Sequence, residues 1–283
     1  SLAGIRQETG QTFPRPKLLS NKDSAGDILN NGSVIMRQGL NGGLITYTWS
    51  QAATYSYTID IRVPTSPTTG SFPVAILLHG AGGNGAAEIA QWNNYLPNHI
   101  LIAPTGFNNV WNIVDESDAP DFQFLSDLMV QLEKYTNVRK VNGTAEISMI
   151  GISNGAAMAL RMGVEYAGSQ LRYVAALVSQ LHDQQWRSPS WYKPSDHENT
   201  DSTNLNRGYD TAFTPYGVID RTPIAKGRYY LQINGQNDNV IPYEGGGGPG
   251  GAIFNSADDS LYNLAAYQQM HPSPKQNTFQ FHY

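Results

Sequence analysis

The strongest chemical signal in the chain is the sequence Gly151-Ile152-Ser153-Asn154-Gly155. It matches the pattern Gly-x-Ser-x-Gly, in which the serine occupies a sharp turn between a strand and a helix. A β-rich apolar run over 145–152 precedes it, and a helix is predicted over 154–166. Such a turn exposes the Ser153 hydroxyl, and the helix N-terminus directs N–H groups toward a developing oxyanion. The motif therefore predicts a serine nucleophile, with a chance Gly-Ser-Gly loop as the alternative.

A glycine-rich loop follows the buried strand predicted over 74–78, and it reads His79-Gly80-Ala81-Gly82-Gly83. In proteins with this serine turn, such a loop supplies one oxyanion-hole N–H and the residue after the nucleophile supplies the other. The expected donors are the N–H groups of Ala81 and Asn154. A phosphate-binding loop is the weaker alternative, because neither GxxxxGK[ST] nor GxGxxG is complete. His79 precedes the serine in the chain, so we interpret it as structural.

The candidate acid is Asp238, which lies directly after the strand predicted over 228–233. An acid at the carboxyl end of that strand faces the same sheet edge as Ser153, and the order Ser then Asp fits this kind of site. The alternative is an Asx-turn, in which the aspartate only accepts hydrogen bonds from nearby backbone N–H groups.

The candidate base is a histidine that follows Asp238, and only His271 and His282 do so in this sequence. His282 lies at the end of a last strand predicted over 278–283 and is the better candidate. His271 lies in a loop before that strand, at the wrong end of the sheet. Two alternatives stay open: a base that lies beyond Tyr283, and a protein of this fold that has no working base.

The elements that position these residues alternate between strands and helices. Further strands are predicted over 100–103 and 173–178, and further helices over 86–96, 122–135 and 256–269. This alternation predicts an α/β fold, with a mostly parallel central sheet and helices on both faces. We expect residues 1–43 to form an irregular arm and residues 44–283 to form one domain.

The segment 181–226 is long, polar and rich in aromatic residues, and it follows a strand on the predicted active-site edge. Its aromatic residues are Trp186, Trp191, Tyr192, Tyr209, Phe213 and Tyr216. Aromatic faces in this position favour a lid or cleft wall that grips an aromatic group or a polymer. The alternative is a surface insertion whose aromatic residues form a small core of their own.

Composition excludes several functions. The 283 residues include 18 Lys and Arg, 23 Asp and Glu and no Cys, so the net charge is −5 and thiolate chemistry is excluded. A mildly acidic chain lacks the footprint of a nucleic-acid binder, and no apolar run reaches the roughly 18 residues of a membrane span. Charged residues make up 14% of the chain, against about 25% in an average domain. This neutral surface suits secreted or extracellular work on neutral substrates.

No cofactor or metal is expected. The cluster of His182, Asp183, His197 and Glu198 fits no zinc spacing. Nor does the acidic run of Asp115, Glu116, Asp118 and Asp121 fit a calcium loop, because it lacks the required glycine and terminal glutamate. The better interpretation is that these carboxylates complement the positive end of the dipole of the helix that follows them.

Several segments together resemble the secreted polyhydroxybutyrate depolymerases and feruloyl esterases, a group of α/β-hydrolases. The likeness runs over about residues 55–246 and is carried by 74–83, the helix start at 121–125, 139–158 and 235–246. It implies the α/β-hydrolase fold, Ser153 as nucleophile, Asp238 as the triad acid, and Ala81 with Asn154 as oxyanion donors. The chain departs from the family in having no disulfides and in reading Asn234-Gly235 where a His-Gly is usual.

The combined prediction is a serine hydrolase of carboxylic esters that forms an acyl-enzyme and needs no cofactor. Its expected substrates are neutral polyesters, or feruloyl and acetyl esters of polysaccharide. Two alternatives belong to other classes: a non-catalytic binding protein of the same fold without a working histidine, and a serine peptidase of that fold.

Overall fold

The computed structural model describes residues 28–33, 57–65, 70–113, 119, 121–192 and 227–268 in full. For residues 17–19, 34–36, 47–49, 52–55, 193 and 214–215 it describes the backbone alone. The predicted last strand over 278–283 lies outside the described residues.

The centre of the described chain is a twisted sheet of eight strands, numbered here β1–β8 in chain order. Their bounds are β1 Lys17–Leu19, β2 Gly32–Met36, β3 Tyr57–Arg62, β4 Val74–Leu78, β5 Ile100–Pro104, β6 Ile147–Ile152, β7 Leu171–Leu177 and β8 Tyr229–Ile233. The spatial order is β1-β2-β3-β5-β4-β6-β7-β8. β3 is antiparallel to both its neighbours, and every other adjacent pair is parallel.

Four α-helices are described: α1 Gly85–Trp92, α2 Asp121–Leu132, α3 Asn154–Glu165 and α4 Ala257–Tyr267. Short 3₁₀ turns lie at Phe107–Asn109 and Pro249–Gly251. Short strand pairs join Tyr47–Trp49 to Ala52–Tyr55, Lys140–Val141 to Thr144–Ala145 and Gly246–Gly247 to Ile253–Phe254.

The two faces of the sheet are covered by different helices. On β4, Val74, Ile76 and Leu78 point into the large core that includes the apolar residues of α2 and α3. The alternate residues Ala75 and Leu77 point into a smaller core, where α1 contributes Ile89 and Trp92. Side chains of a strand alternate between faces, so a central strand covered on both sides must be apolar throughout. The predicted α/β class, with a mostly parallel sheet and helices on both faces, is confirmed.

The N-terminal segment differs from the expected irregular arm. Within residues 1–43, β1 and β2 join the main sheet, and β2 pairs antiparallel with β3 from Gly32 opposite Ile61 to Met36 opposite Tyr57. β2 contains the short apolar run Val34-Ile35-Met36. Its pairing satisfies the backbone groups along the edge of β3, which would otherwise stay unpaired.

The described part of the 181–226 insertion forms a three-stranded antiparallel sheet of Trp186–Arg187, Ser190–Lys193 and Thr214–Pro215. The Trp186 and Trp191 rings lie 5.0 Å apart, and the Trp191 ring lies 5.6 Å from that of Tyr267 on α4. Trp191 is buried in the large core. These two tryptophans therefore serve packing, and the lid role of the insertion stays a prediction. Tyr209, Phe213 and Tyr216 lie outside the described residues.

Within the described ranges, no helix combines the length and apolar character needed to cross a membrane.

Candidate active site

Ser153 lies at the sharp turn between β6 and α3, as its motif predicts. Its backbone adopts φ 53° and ψ −118°, a conformation that non-glycine residues rarely adopt. The Ser153 N–H donates to Leu177 O at 2.9 Å, and its carbonyl accepts from Ala156 and Ala157 at the start of α3. A backbone held in a sparsely populated region costs about 1–3 kcal/mol and marks functional sites. Ser153 thus occupies a strained strand-to-helix turn at the N-terminus of α3.

The two glycines of the motif are required by close backbone contacts. A Cβ at Gly155 would lie 2.2 Å from Leu78 O, at the end of β4. A Cβ at Gly151 would lie 2.1 Å from Gly155 O. Both distances are far below van der Waals contact, so α3 can approach the sheet only where these side chains are absent. The close approach places Ser153 directly above the ends of β4 and β6.

The loop after β4 lies beside Ser153, because a Cβ at Gly80 would be 3.6 Å from Ser153 Cβ. Gly82 N–H donates to Asn109 O at 2.8 Å, and Gly83 N–H donates to Gly80 O at 2.9 Å. Within the described part of the chain, the Ala81 N–H has no such acceptor. This is the arrangement that an oxyanion donor needs, and its role with the Asn154 N–H stays a prediction.

His79 is buried and serves the loop rather than the chemistry. Its Nε2 accepts a hydrogen bond from Gly106 N–H at 3.0 Å, which assigns the proton to Nδ1. Nδ1 then donates to Gly80 O at 2.7 Å. Burial lowers the pKa of His79 despite this bond, which works in the opposite direction. The ring is therefore neutral and committed at both nitrogens.

Asp238 forms the turn that the sequence left as an alternative, and its geometry also suits a triad acid. Its Oδ1 accepts hydrogen bonds from Val240 N–H at 2.7 Å and Ile241 N–H at 2.9 Å. Both bonds fall on one carboxylate oxygen, and no described residue hydrogen-bonds the second, Oδ2. A triad acid needs one oxygen held by the fold and the other directed at an imidazole.

The loop that carries Asp238 is anchored to the segment after β7. Asn234 Nδ2 donates to Gln180 Oε1 at 2.8 Å and to Ser179 O at 3.2 Å. The buried Gln180 in turn donates to Pro242 O at 2.7 Å and to Asn255 O at 2.8 Å. Since β6, β7 and β8 are adjacent and parallel, their carboxyl ends bring Ser153 and Asp238 to one edge of the sheet.

No described histidine hydrogen-bonds the Ser153 hydroxyl. His282 and His271 lie outside the described residues, so the base stays a prediction. His182 is fully buried, and its ring packs edge-on against that of Phe254 at 6.4 Å. Burial, aided by the charge of Arg161, lowers the pKa of His182 to about 3.

The weak metal cluster gains no support from its described members. Asp183 forms an ion pair of 3.6 Å with Arg187, while His182 packs in the core. His197 and Glu198 lie outside the described residues. Among the residues that are described, no group of three or more candidate ligands comes together.

The acidic run before α2 contributes one described residue with a clear structural role, Asp121. Its carboxylate accepts from Tyr57 Oη at 2.6 Å and from Asn112 N–H at 2.7 Å, at the first turn of α2. A carboxylate at this position complements the helix dipole, as predicted. Asp115, Glu116 and Asp118 lie outside the described residues.

The sequence analysis did not identify the segment between β5 and α2 as part of the candidate site. Trp111 is fully buried, and its backbone forms two hydrogen bonds with the Asn154 side chain: Trp111 N–H to Oδ1 at 2.6 Å and Nδ2 to Trp111 O at 3.1 Å. A usable signal was the sequence Gly106-Phe-Asn-Asn-Val-Trp111 after a buried strand. Its Asn108 and Asn109 adopt positive φ, which asparagine tolerates well.

Comparison with protein-family models gives no match, and comparison with curated proteins gives none either. Among solved structures, the chain is similar to a Bacillus cereus carboxylesterase, with 19% identity, 44% of this chain and 60% of that chain covered, and a TM-score of 0.31. It is also similar to a Staphylococcus aureus fluorophosphonate-binding serine hydrolase, with 14% identity, 72% of this chain and 79% of that chain covered, and a TM-score of 0.38. The third similar structure is an α/β-hydrolase enzyme from a Medee basin deep-sea metagenome library, with 21% identity, 44% of this chain and 42% of that chain covered, and a TM-score of 0.31.

The aligned part thus spans 60% of the length of the carboxylesterase and 42% of the length of the metagenomic hydrolase. At such low similarity, the fold assignment rests on the chain's own topology. One antiparallel strand in a parallel sheet, helices on both faces and a strained serine between β6 and α3 are features of the α/β-hydrolase fold. The chain has this fold.

Proposed function

We propose that this chain is a serine hydrolase of carboxylic esters. The observation that carries the proposal is the backbone of Ser153, which is strained, half-buried and placed at the N-terminus of α3. Strain at one polar residue is retained where a function requires that geometry. The position of Asp238 at the same sheet edge supports the proposal independently.

In the proposed mechanism, Ser153 Oγ attacks the ester carbonyl while His282 accepts its proton. Asp238 orients the imidazole through Oδ2, because Oδ1 is held by the backbone of Val240 and Ile241. The N–H groups of Ala81 and Asn154 stabilise the tetrahedral oxyanion. Collapse of this intermediate expels the alcohol, which takes the proton from the histidine. Water then releases the acid from the acyl-enzyme by the same steps.

The proposed substrates are neutral polyesters such as polyhydroxyalkanoates, or feruloyl and acetyl esters of polysaccharide, met outside the cell. The resemblance to depolymerases and feruloyl esterases supports this class of substrate. The charged fraction of 14% agrees with it, because a weakly charged surface binds an uncharged polymer without desolvating ions.

The test compares wild type with Ser153→Ala on short p-nitrophenyl esters. Loss of the nucleophile should lower kcat by about 10⁴-fold or more, leaving only the catalysis of the oxyanion hole and binding. Ser126→Ala is the control, because Ser126 Oγ donates to Phe122 O within α2. A serine-directed phosphonate should add its mass to Ser153. Full activity of Ser153→Ala would overturn the proposal.

The same assay identifies the base. We expect His282→Ala to lose turnover and His271→Ala to keep it. Loss in His271→Ala alone would move the base to that residue. A wild-type chain that gives neither turnover nor adduct would favour the non-catalytic binding protein, and faster cleavage of peptide anilides than of esters would favour the peptidase.

A further inference from the structure

The two proposed oxyanion donors lie on separate parts of the chain. Ala81 belongs to the loop after β4, and Asn154 begins α3. An oxyanion hole works only when both N–H groups point at the same position, and a displacement of 1 Å can cost about 100-fold in rate. Part of the fold must therefore hold the loop after β4 and the start of α3 in a fixed relative position.

The segment Gly106–Trp111, here called the brace, holds the first loop at four points. Gly106 N–H donates to His79 Nε2 at 3.0 Å, and Trp111 Nε1 donates to His79 O at 3.0 Å. Asn109 O accepts from Gly82 N–H at 2.8 Å, and Asn109 Nδ2 donates to Gly83 O at 2.6 Å. These bonds flank Ala81 on both sides.

The brace holds the second donor through the side chain of Asn154. The Asn154 amide forms a reciprocal pair of bonds with the Trp111 backbone, at 2.6 and 3.1 Å. His79 and Trp111 are fully buried, and Asn154 is 8% exposed. Few water molecules can compete for these groups, so each bond is worth more than on the surface.

We propose that His79, Trp111 and the Asn154 side chain are positioning residues that align the two halves of the oxyanion hole. This inference rests on the proposed function. The Asn154 backbone N–H contacts the substrate oxygen, while the Asn154 side chain acts through its bonds to the Trp111 backbone. The hydrogen bonds that join His79, the brace and the Asn154 side chain, here called the bridge, are all present in the free protein, so the two donors are preorganised before substrate binds.

The test uses a matched pair of asparagines. Asn137 forms the same reciprocal pair of bonds with the Leu29 backbone, both at 3.0 Å, and is also 8% exposed. Asn154→Leu and Asn137→Leu therefore each remove a reciprocal pair of side-chain-to-backbone bonds at equal burial. We expect Asn154→Leu to lower kcat by about 10- to 100-fold with KM within about 2-fold, since alignment matters only in the transition state. Asn137→Leu should keep the wild-type kcat.

A second variant, Trp111→Phe, removes the bond to His79 O together with part of the buried ring, and it keeps the proposal testable if Asn154→Leu does not fold. We expect it to lower kcat in the same way. The kcat of the double variant should be no lower than that of the worse single variant, because both substitutions interrupt the same bridge. Equal loss of kcat in Asn154→Leu and Asn137→Leu, an unchanged kcat in Trp111→Phe, or additive losses would each overturn the bridge.

The phosphonate adduct separates this inference from the proposed function. If wild type labels at Ser153 and the variants give one of these contradicting results, the bridge alone is overturned. If wild type neither labels nor turns over, the proposed function fails and the bridge falls with it.

Discussion

Ser153 shows how one residue in an unfavourable conformation depends on its neighbours. Its positive φ is held by the bond from Ser153 N–H to Leu177 O, and by the contact of Gly155 with the end of β4. The motif could be predicted from sequence because both glycines are local to the serine. The partnership of Asn154 with Trp111 could not, because it spans 43 residues and no local spacing reveals it.

The glycine contact gives a prediction at the residue scale. Gly155→Ala should destabilise the protein by about 3 kcal/mol, because the new methyl group meets Leu78 O and α3 must move away from the sheet. The same movement displaces Ser153, so kcat should fall. Denaturant midpoints measure the loss. Gly247→Ala is the control, since a Cβ there meets no atom within 4 Å. Equal stability of the two variants would contradict the packing argument.

At the scale of the elements, α3 depends on contacts at its two ends. It is buried from Asn154 to Val164, so the carbonyl groups of its last turn cannot rely on water. Arg228, just before β8, supplies their partner: its guanidinium donates to Gly163 O at 2.5 Å and also to Tyr166 O. It donates further to Gly168 O at 2.9 Å and to Leu171 O at 3.0 Å. One side chain therefore ties the end of α3 to the start of β7.

Arg228→Lys should destabilise the protein by about 2–4 kcal/mol. Lysine keeps the positive charge but loses the planar fork that reaches several carbonyl groups, and some of these stay buried without a donor. The control is Arg139→Lys, because the Arg139 side chain is 47% exposed in its ion pair with Glu146. Thermal unfolding of both variants measures the difference. A loss no greater than in the control would show that charge alone is sufficient at position 228.

Some bounds of these elements followed from local patterns, and others depended on partners that are distant in the sequence. The helix predicted over 154–166 is observed at Asn154–Glu165, because the strand and the glycine turn fix its start. The helix predicted over 86–96 ends at Trp92 instead. There the Arg62 guanidinium binds the carbonyl groups of Asn93, Leu96 and Pro97, and the chain turns away from the helix. That contact comes from β3, outside any local window.

At the scale of the whole molecule, two of the three described histidines, His79 and His182, are fully buried, and His99 is half-buried. Burial lowers the pKa of His79, His99 and His182, so the folded protein keeps them neutral where the unfolded chain binds protons. Their contribution to stability is complete above the unfolded pKa of about 6.5, and it declines as the pH falls toward the folded values. The raised pKa values of Glu88 and Asp183 act in the opposite direction. The alternation of strands and helices in the sequence predicted the α/β class, but not which histidines would be buried.

A single variant isolates this effect. His182→Gln should be less stable than wild type at neutral pH, because packing against Phe254 is lost. Between about pH 6.5 and 4 its free energy of unfolding should fall less steeply, by up to about 1.4 kcal/mol per pH unit. Urea unfolding at a series of pH values measures both curves. Parallel curves would show that His182 gains a proton in the folded state.

The fixed amide of Asn154 also affects how the protein ages. Asparagine followed by glycine is the pair most prone to lose its amide when the glycine nitrogen attacks the side-chain carbonyl carbon, and Asn154-Gly155 is such a pair. In the folded protein, Trp111 holds the Asn154 amide at both its oxygen and its nitrogen. Deamidation there requires local opening first. The contacts that order the site thus also protect it from chemical decay, and an aspartate formed at this position would face the Trp111 carbonyl with no proton to donate.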